Sequence, residues 1–115
     1  MGILEPMMAV LVSLSGSSWV APENARQSVE FKAAHISGNA GCNQFSGTYL
    51  QTDSGLKIGP LATTRRACKP EVMKNESKIL SALANTTKVE MSDSTLTLKD
   101  AKGTVLTILN RENVG

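Results

Sequence analysis

Apolar residues recur in short alternating segments through most of this chain, and a single segment has the spacing of a helix. In residues 28–33, Val29 and Phe31 fall on one face while Glu30 and Lys32 fall on the other. This two-residue period is typical of a strand that is buried on one side only. The pattern predicts a mainly β domain.

Further strands are predicted between clusters of turn residues, at residues 8–14, 18–20, 48–51, 56–58, 87–91, 95–99 and 104–109. The last three form an antiparallel meander with these inward pairs: Val89 and Met91, Leu96 and Leu98, Leu106 and Ile108. Between them and the first strands, residues 37–47 carry three glycines. Such density predicts tight turns, bulges or close backbone approach.

The helix is predicted over residues 70–84. Pro70 suits a first helical turn and Glu71 complements the amino-terminal dipole. The apolar residues that share one face at helical spacing, and that we therefore assign to the core, are Val72, Met73, Ile79, Leu80 and Leu83. Glu76 lies beside them and is a possible buried acid; the favoured interpretation is a boundary carboxylate or a hydrogen bond to a nearby backbone group.

Strands, one helix and then more strands indicate an α+β fold in which a curled antiparallel sheet packs on the helix. A chain of 115 residues makes one domain, here residues 1–115 with a core at about 14–109. We expect a monomer. Aromatic residues make up only 3% of the chain, so stacking surfaces for single-stranded nucleic acid are scarce.

The net charge of +2 is too small to identify a polyanionic partner, and we expect no nucleic-acid binding. Arg65, Arg66 and Lys69 form the one tight basic cluster, which could hold a phosphate but is more simply a solvated loop. No apolar run approaches the roughly 20 residues of a membrane span. Residues 1–12 lack the positively charged start of a signal peptide. We therefore expect that the export signal of this protein is not part of the chain.

Cys42 and Cys68 are too far apart in the sequence for a CxxC redox or zinc pair. They form either a disulfide, the simplest use of two cysteines in an exported domain, or two buried thiols. The only histidine, His35, could act with Cys42 and Asn43 as a base, but a glycine-rich turn does not indicate a catalytic geometry. We expect no enzyme activity, no metal site and no cofactor.

Three motifs in the same order carry a family resemblance: residues 14–19, residues 41–49 and residues 58–68, followed by the helix pattern and a closing Leu-x-Leu. Together they resemble the META/HslJ domain family over about residues 14–109. The motif residues singled out by this resemblance are Gly41, Cys42, Asn43, Gly47, Tyr49, Thr64, Ala67 and Cys68.

The resemblance implies a barrel-like antiparallel sheet with one helix, found in periplasmic proteins and lipoproteins of the bacterial envelope. It implies a non-catalytic role in the stress response, through binding of a protein or envelope component. The fold also resembles a secretin pilot protein that holds lipid in a cavity. The alternative function is therefore a carrier of a small hydrophobic ligand between helix and sheet.

This chain departs from the family pattern at two places. Arg66 stands where the family usually has Met, which predicts either an outward side chain or a polar spot in the core. The apolar residues 7–12 are not part of the pattern, and they represent an extra strand or a remnant of the export signal.

Overall fold

The computed structural model describes residues 13–53 and 55–112. Nine strands and one helix occur in this part of the chain. They are β1 (Ser17–Ala21), β2 (Asn24–Lys32), β3 (His35–Ala40), β4 (Gln44–Thr52), β5 (Gly55–Ile58), β6 (Ala62–Thr63), α1 (Pro70–Asn85), β7 (Lys88–Met91), β8 (Thr95–Lys99) and β9 (Val105–Arg111).

The strands form one antiparallel sheet in the order β5-β4-β3-β2-β1-β9-β8-β7, with β6 paired to β4. The two ends of the sheet meet, since the Leu56 N–H donates to the Thr87 carbonyl oxygen across 3.0 Å. The sheet therefore curls into a nearly closed barrel, with α1 packed on β3, β8 and β9. This confirms the predicted α+β fold with one packed helix.

The interior of the barrel is filled by side chains that alternate along the strands. Trp19 is fully buried, and its Nε1–H donates to Ser17 Oγ across 2.8 Å. The Phe31 and Tyr49 rings meet edge to face at 5.1 Å between centroids. Most other core positions hold aliphatic residues: Leu14, Val29, Ile36, Leu56, Ile79, Leu83, Leu96, Leu98 and Leu109.

Helix α1 ends one residue beyond its predicted limit, but its buried face differs from the prediction. Ile79 and Leu83 are buried as expected, whereas Leu80 is half-buried, as are the two residues of the first turns predicted as core, Val72 and Met73. Glu76 and Ala82 complete the buried face instead. The helix packs on the barrel along the line from Glu76 to Leu83. Met73 and Leu80 lie to one side of that line and Val72 precedes it, so all three stay partly open.

The glycine-rich segment contains a predicted tight turn, but most of residues 37–47 are strand. Gly38 lies within β3, and a Cβ there would collide with the Ser28 carbonyl oxygen and the Phe45 ring. The expected close backbone approach is thus confirmed, and the turn itself is confined to residues 41–43. Of the strand predicted at residues 8–14, residues 8–12 lie outside the described residues, and Leu14 is buried but not in a strand.

The last strand is shifted relative to its predicted alternation. Leu98 pairs with Thr107 but Lys99 pairs with Val105, a one-residue irregularity in the β8–β9 ladder. In the regular part of the ladder Leu109 pairs with the inward-facing Leu96 and Ile108 pairs with Thr97, so Leu109 is fully buried while Ile108, predicted to face inward, is 45% exposed. This change leaves apolar side chains on the surface next to α1.

Candidate functional site

A disulfide joins two of the sequence motifs. The sulfur atoms of Cys42 and Cys68 lie 2.01 Å apart, with 6.1 Å between their Cα atoms. Cys42 belongs to the turn between β3 and β4, and Cys68 to residues 64–69, which we call the basic loop. The predicted bridge is confirmed, and the alternative of two buried thiols is wrong.

The Glu76 carboxylate of α1 is buried against the Cys42 turn, with a side chain only 5% exposed. Its Oε1 accepts the Cys42 N–H across 3.0 Å and the Asn43 N–H across 2.7 Å. Its Oε2 accepts the Asn43 Nδ2–H across 2.7 Å. Glu76 is therefore a buried acid whose partners include backbone groups, and the prediction of a boundary carboxylate is wrong.

Asn43 also forms hydrogen bonds with the basic loop, and so links that loop to Glu76. Its Oδ1 accepts the Arg66 N–H across 2.6 Å and the Thr64 Oγ1–H across 3.0 Å, while its Nδ2–H also donates to the Arg66 carbonyl oxygen across 3.2 Å. Thr64 Oγ1 in turn accepts the Gln44 N–H across 3.1 Å. We call these contacts the Asn43–Glu76 network, and they attach the basic loop to α1 through hydrogen bonds in addition to the disulfide.

Burial alone would raise the pKa of the Glu76 carboxyl. Hydrogen bonds from the Asn43 side chain and from the N–H groups of Asn43 and Cys42 outweigh burial, so the pKa lies below the ordinary value of 4.5. A carboxyl with a lowered pKa in the folded state adds stability above its unfolded pKa. That stability is lost as the pH falls through the folded pKa.

We expect Glu76→Gln to lower the free energy of unfolding at neutral pH by about 1–3 kcal/mol, because a carboxamide turns one donor toward the donors of Asn43. The difference from the parent should shrink as the pH falls below about 4.5, where the unfolded chain takes up the proton first, and should be lost as the pH passes through the lower pKa of the folded state. Urea unfolding across this pH range measures both effects. Glu30→Gln, on an exposed side chain of β2, is the control, and a similar pH dependence in the two variants would contradict the assignment.

The remaining motif residues shape the backbone around the network. Gly41 has φ of +125°, a left-handed conformation that favours glycine. A Cβ at Gly47 would come within 2.8 Å of the Pro60 carbonyl oxygen. The Tyr49 hydroxyl donates to the Lys32 carbonyl oxygen across 2.6 Å, and burial raises the pKa of Tyr49 more than a hydrogen bond with Ser15 lowers it. Ala67 is exposed on the basic loop.

The basic loop carries its charges outward. Arg65, Arg66 and Lys69 are all exposed, in agreement with the interpretation as a solvated loop. Arg66 takes part in the network only through its backbone. Two outcomes were predicted for Arg66 at the position where the family usually has Met. The structure shows the first, an outward side chain, and not a polar spot in the core.

The residues weighed for catalysis are not brought together as a nucleophile and its base. His35 is exposed at the start of β3, where it pairs with Lys32 and Thr48. Cys42 is bonded to Cys68 and so is no free thiolate nucleophile. Among residues 13–53 and 55–112, no three metal-binding side chains cluster, and no helix has the length and apolar character to cross a membrane.

An open groove of about 650 Å³ lies between α1, the turn that joins β1 to β2 and the start of β9. Its helix wall includes Lys78, Ile79 and Ala82, and its strand wall runs from Val105 to Ile108. Val105 is 49% exposed and Ile108 is 45% exposed. The sequence pattern did not indicate this exposed surface, because its alternation predicts that Ile108 lies in the core. The only local indication was the adjacent apolar pair Ile108-Leu109, in which either residue could face inward and leave the other exposed.

The chain matches the META domain over residues 10–113. No curated protein matches it. A solved structure, described as the NMR structure of the protein from Burkholderia xenovorans, is 26% identical, with a TM-score of 0.71 over 88% of this chain and 85% of that one.

Two further solved structures share the fold. One, described only as the NMR structure of the protein, has a TM-score of 0.63 at 24% identity, covering 89% of this chain and 95% of that chain. The other is a DUF4847 family protein from Bacteroides vulgatus, with a TM-score of 0.60 at 18% identity, covering 76% and 60% of the two chains. Fold, disulfide and the match over residues 10–113 lead to one conclusion: the chain belongs to the META domain family.

Proposed function

We propose that this chain is a non-catalytic binding module of the bacterial envelope, in the periplasm or at the outer membrane, where it binds a protein or envelope component during stress. The disulfide supports an oxidising compartment, because such bonds persist outside the reducing cytoplasm. The observation that carries the binding role is the open groove between α1 and β9, with its exposed Val105 and Ile108.

Apolar side chains from both walls meet at this groove, Ile79 and Ala82 from the helix and Val105 and Ile108 from the strand. Contiguous exposed apolar surface with polar neighbours is typical of interaction sites. The barrel interior holds Trp19 and Phe31, both at 0% exposure, among aliphatic residues. A partner therefore binds on the outside of the barrel.

Site-specific photocrosslinking tests the binding role. A photoreactive amino acid at position 105 should give a discrete cross-linked species in the envelope fraction of the native host, and the same group at exposed His35 should not. An excess of unlabelled parent protein should suppress the species, whereas unlabelled Val105→Asp should not. Identical species from both positions, or none from position 105, would contradict the proposed function.

We expect no turnover of generic ester, peptide or disulfide substrates by the purified protein. The physical reason is that acid–base chemistry needs a tuned group in a shaped site, and His35 is exposed at a strand end. Assays of the parent beside His35→Ala and Cys42→Ser check this. Turnover that disappears in both variants would establish an enzyme, while turnover that persists in both would come from a contaminant.

A carrier of small hydrophobic ligands is the second candidate. A separate groove of about 550 Å³ favours it, because its lining includes Leu50, Leu56, Ile58 and Ala84, and Leu50 is 62% exposed. A fluorescent fatty acid is the probe. Saturable binding that Leu50→Asp abolishes and Val105→Asp preserves would establish the carrier, and absence of saturable binding would exclude it for this ligand class.

A further inference from the structure

The pairing of β1 with β9 stops partway along β9. Trp19 pairs with Arg111 and Val20 with Asn110, and the Glu112 N–H donates to the Ser18 carbonyl oxygen across 2.9 Å. At Ala21 the β1 register shifts into the hairpin with β2. Within the described part of the chain, no strand pairs with this edge of β9 at residues 105–109.

The direction of the free backbone groups follows from the ladder. The Arg111 N–H donates to the Ser94 carbonyl oxygen on the β8 side, across 2.8 Å, while the Glu112 N–H donates to β1. Backbone groups of successive residues in an antiparallel strand point to opposite sides. Ile108, four residues before Glu112, therefore directs its N–H and C=O toward the groove.

Helix α1 faces this edge across the groove and restricts what can reach it. Ile79 and Ala82, both largely buried, line the groove together with Ile108. Exposed strand edges are templates for pairing, and proteins commonly cover them with a helix. Here the helix limits access to the edge of β9 but leaves a groove of about 650 Å³. A single extended segment therefore reaches this edge more easily than a second sheet does.

We propose that the groove binds an extended apolar peptide segment of a partner protein, which adds to β9 beside Ile108. This inference rests on the proposed binding function and names its partner class. The segment continues the line of β1 and so runs antiparallel to β9. Glu23 and Lys78 line the groove with one charge of each sign, which suits a segment without net charge. Residues 105–108 extend over roughly 13 Å, enough to pair with about four residues.

Strand addition predicts a two-residue pattern in the bound peptide, which side-chain contacts alone do not predict. Main-chain hydrogen bonds supply affinity, and alternate side chains supply specificity. One set of peptide side chains packs toward Ile79 and Ala82, and the other set faces solvent. Bound peptides should thus share apolar residues at alternate positions.

Selection from a displayed library of random octapeptides provides the probe. Enriched peptides should bind Ile108→Pro at least about tenfold more weakly than Ile108→Thr, since proline removes the N–H that faces the groove while threonine keeps it. Proline is tolerated at edge positions whose N–H is outside the ladder, and urea midpoints verify that both variants fold. Equal binding to the two variants, or no enriched alternating pattern, would overturn strand addition.

A second measurement uses the unaltered protein, so it does not depend on folding of a variant. Amide exchange at Ile108 should slow by about tenfold or more with the selected peptide, and backbone N-methylation of that peptide should remove both protection and binding. Unchanged binding of the N-methylated peptide would overturn this inference alone. The proposed function is tested separately, because the cross-link from position 105 forms with any partner in the groove.

Discussion

Leu83→Ala should lower the free energy of unfolding by about 2–5 kcal/mol, as for other fully buried leucines. Leu83 is at 0% exposure and lies where α1 packs on the barrel. The truncation removes apolar contacts and leaves a cavity that the surrounding strands cannot fill, because the sheet is nearly closed. Urea or thermal unfolding measures the change.

Leu80→Ala is the matched control, with the same chemical change on the same helix. Leu80 is half-buried at the edge of the core, so its loss should cost clearly less. The helical pattern alone treats the two leucines as equivalent. Equal costs would show that α1 is rotated relative to the packing described here.

Short-range patterns predicted much of the fold because one face of each strand is buried. The alternation at Leu96 and Leu98 identifies β8, and both are at 0% exposure. The alternation at Leu106 and Ile108 failed, since the register pairs Leu109, and not Ile108, with the inward-facing Leu96. Apolar residues at consecutive positions, as in Ile108-Leu109, give no local signal for that choice.

The candidate site depends on contacts that are distant in the sequence. The two cysteine motifs indicated a bridge. Helical spacing could not identify Asn43 as the partner of Glu76, because three strands and a loop separate the two residues in the sequence. The groove depends on where β1 leaves β9. That point is set by the turn at Pro22-Glu23, and no local sequence pattern shows the consequence of this turn for β9.

Replacing both cysteines by serine should lower the free energy of unfolding by about 3.5 kcal/mol. The chain-entropy model gives this value for a sequence separation of 26, because the cross-link restricts the unfolded chain. Small domains have about 5–15 kcal/mol in total, so the variant should fold with a much lower midpoint. Thiol labelling of the unreduced parent is the control, and two labelled thiols would contradict the bridge.

The folded form of this Cys→Ser variant should nevertheless keep the basic loop in place. The Arg66 N–H donates to Asn43 Oδ1 across 2.6 Å, and Asn43 is itself bonded to the buried Glu76, so the loop stays attached without the disulfide. Amide exchange at Arg66 should remain slow in the Cys→Ser variant relative to global unfolding, and become fast when Asn43→Ala is added. Fast exchange at Arg66 in the Cys→Ser variant alone would show that the disulfide, and not the Asn43–Glu76 network, holds the loop.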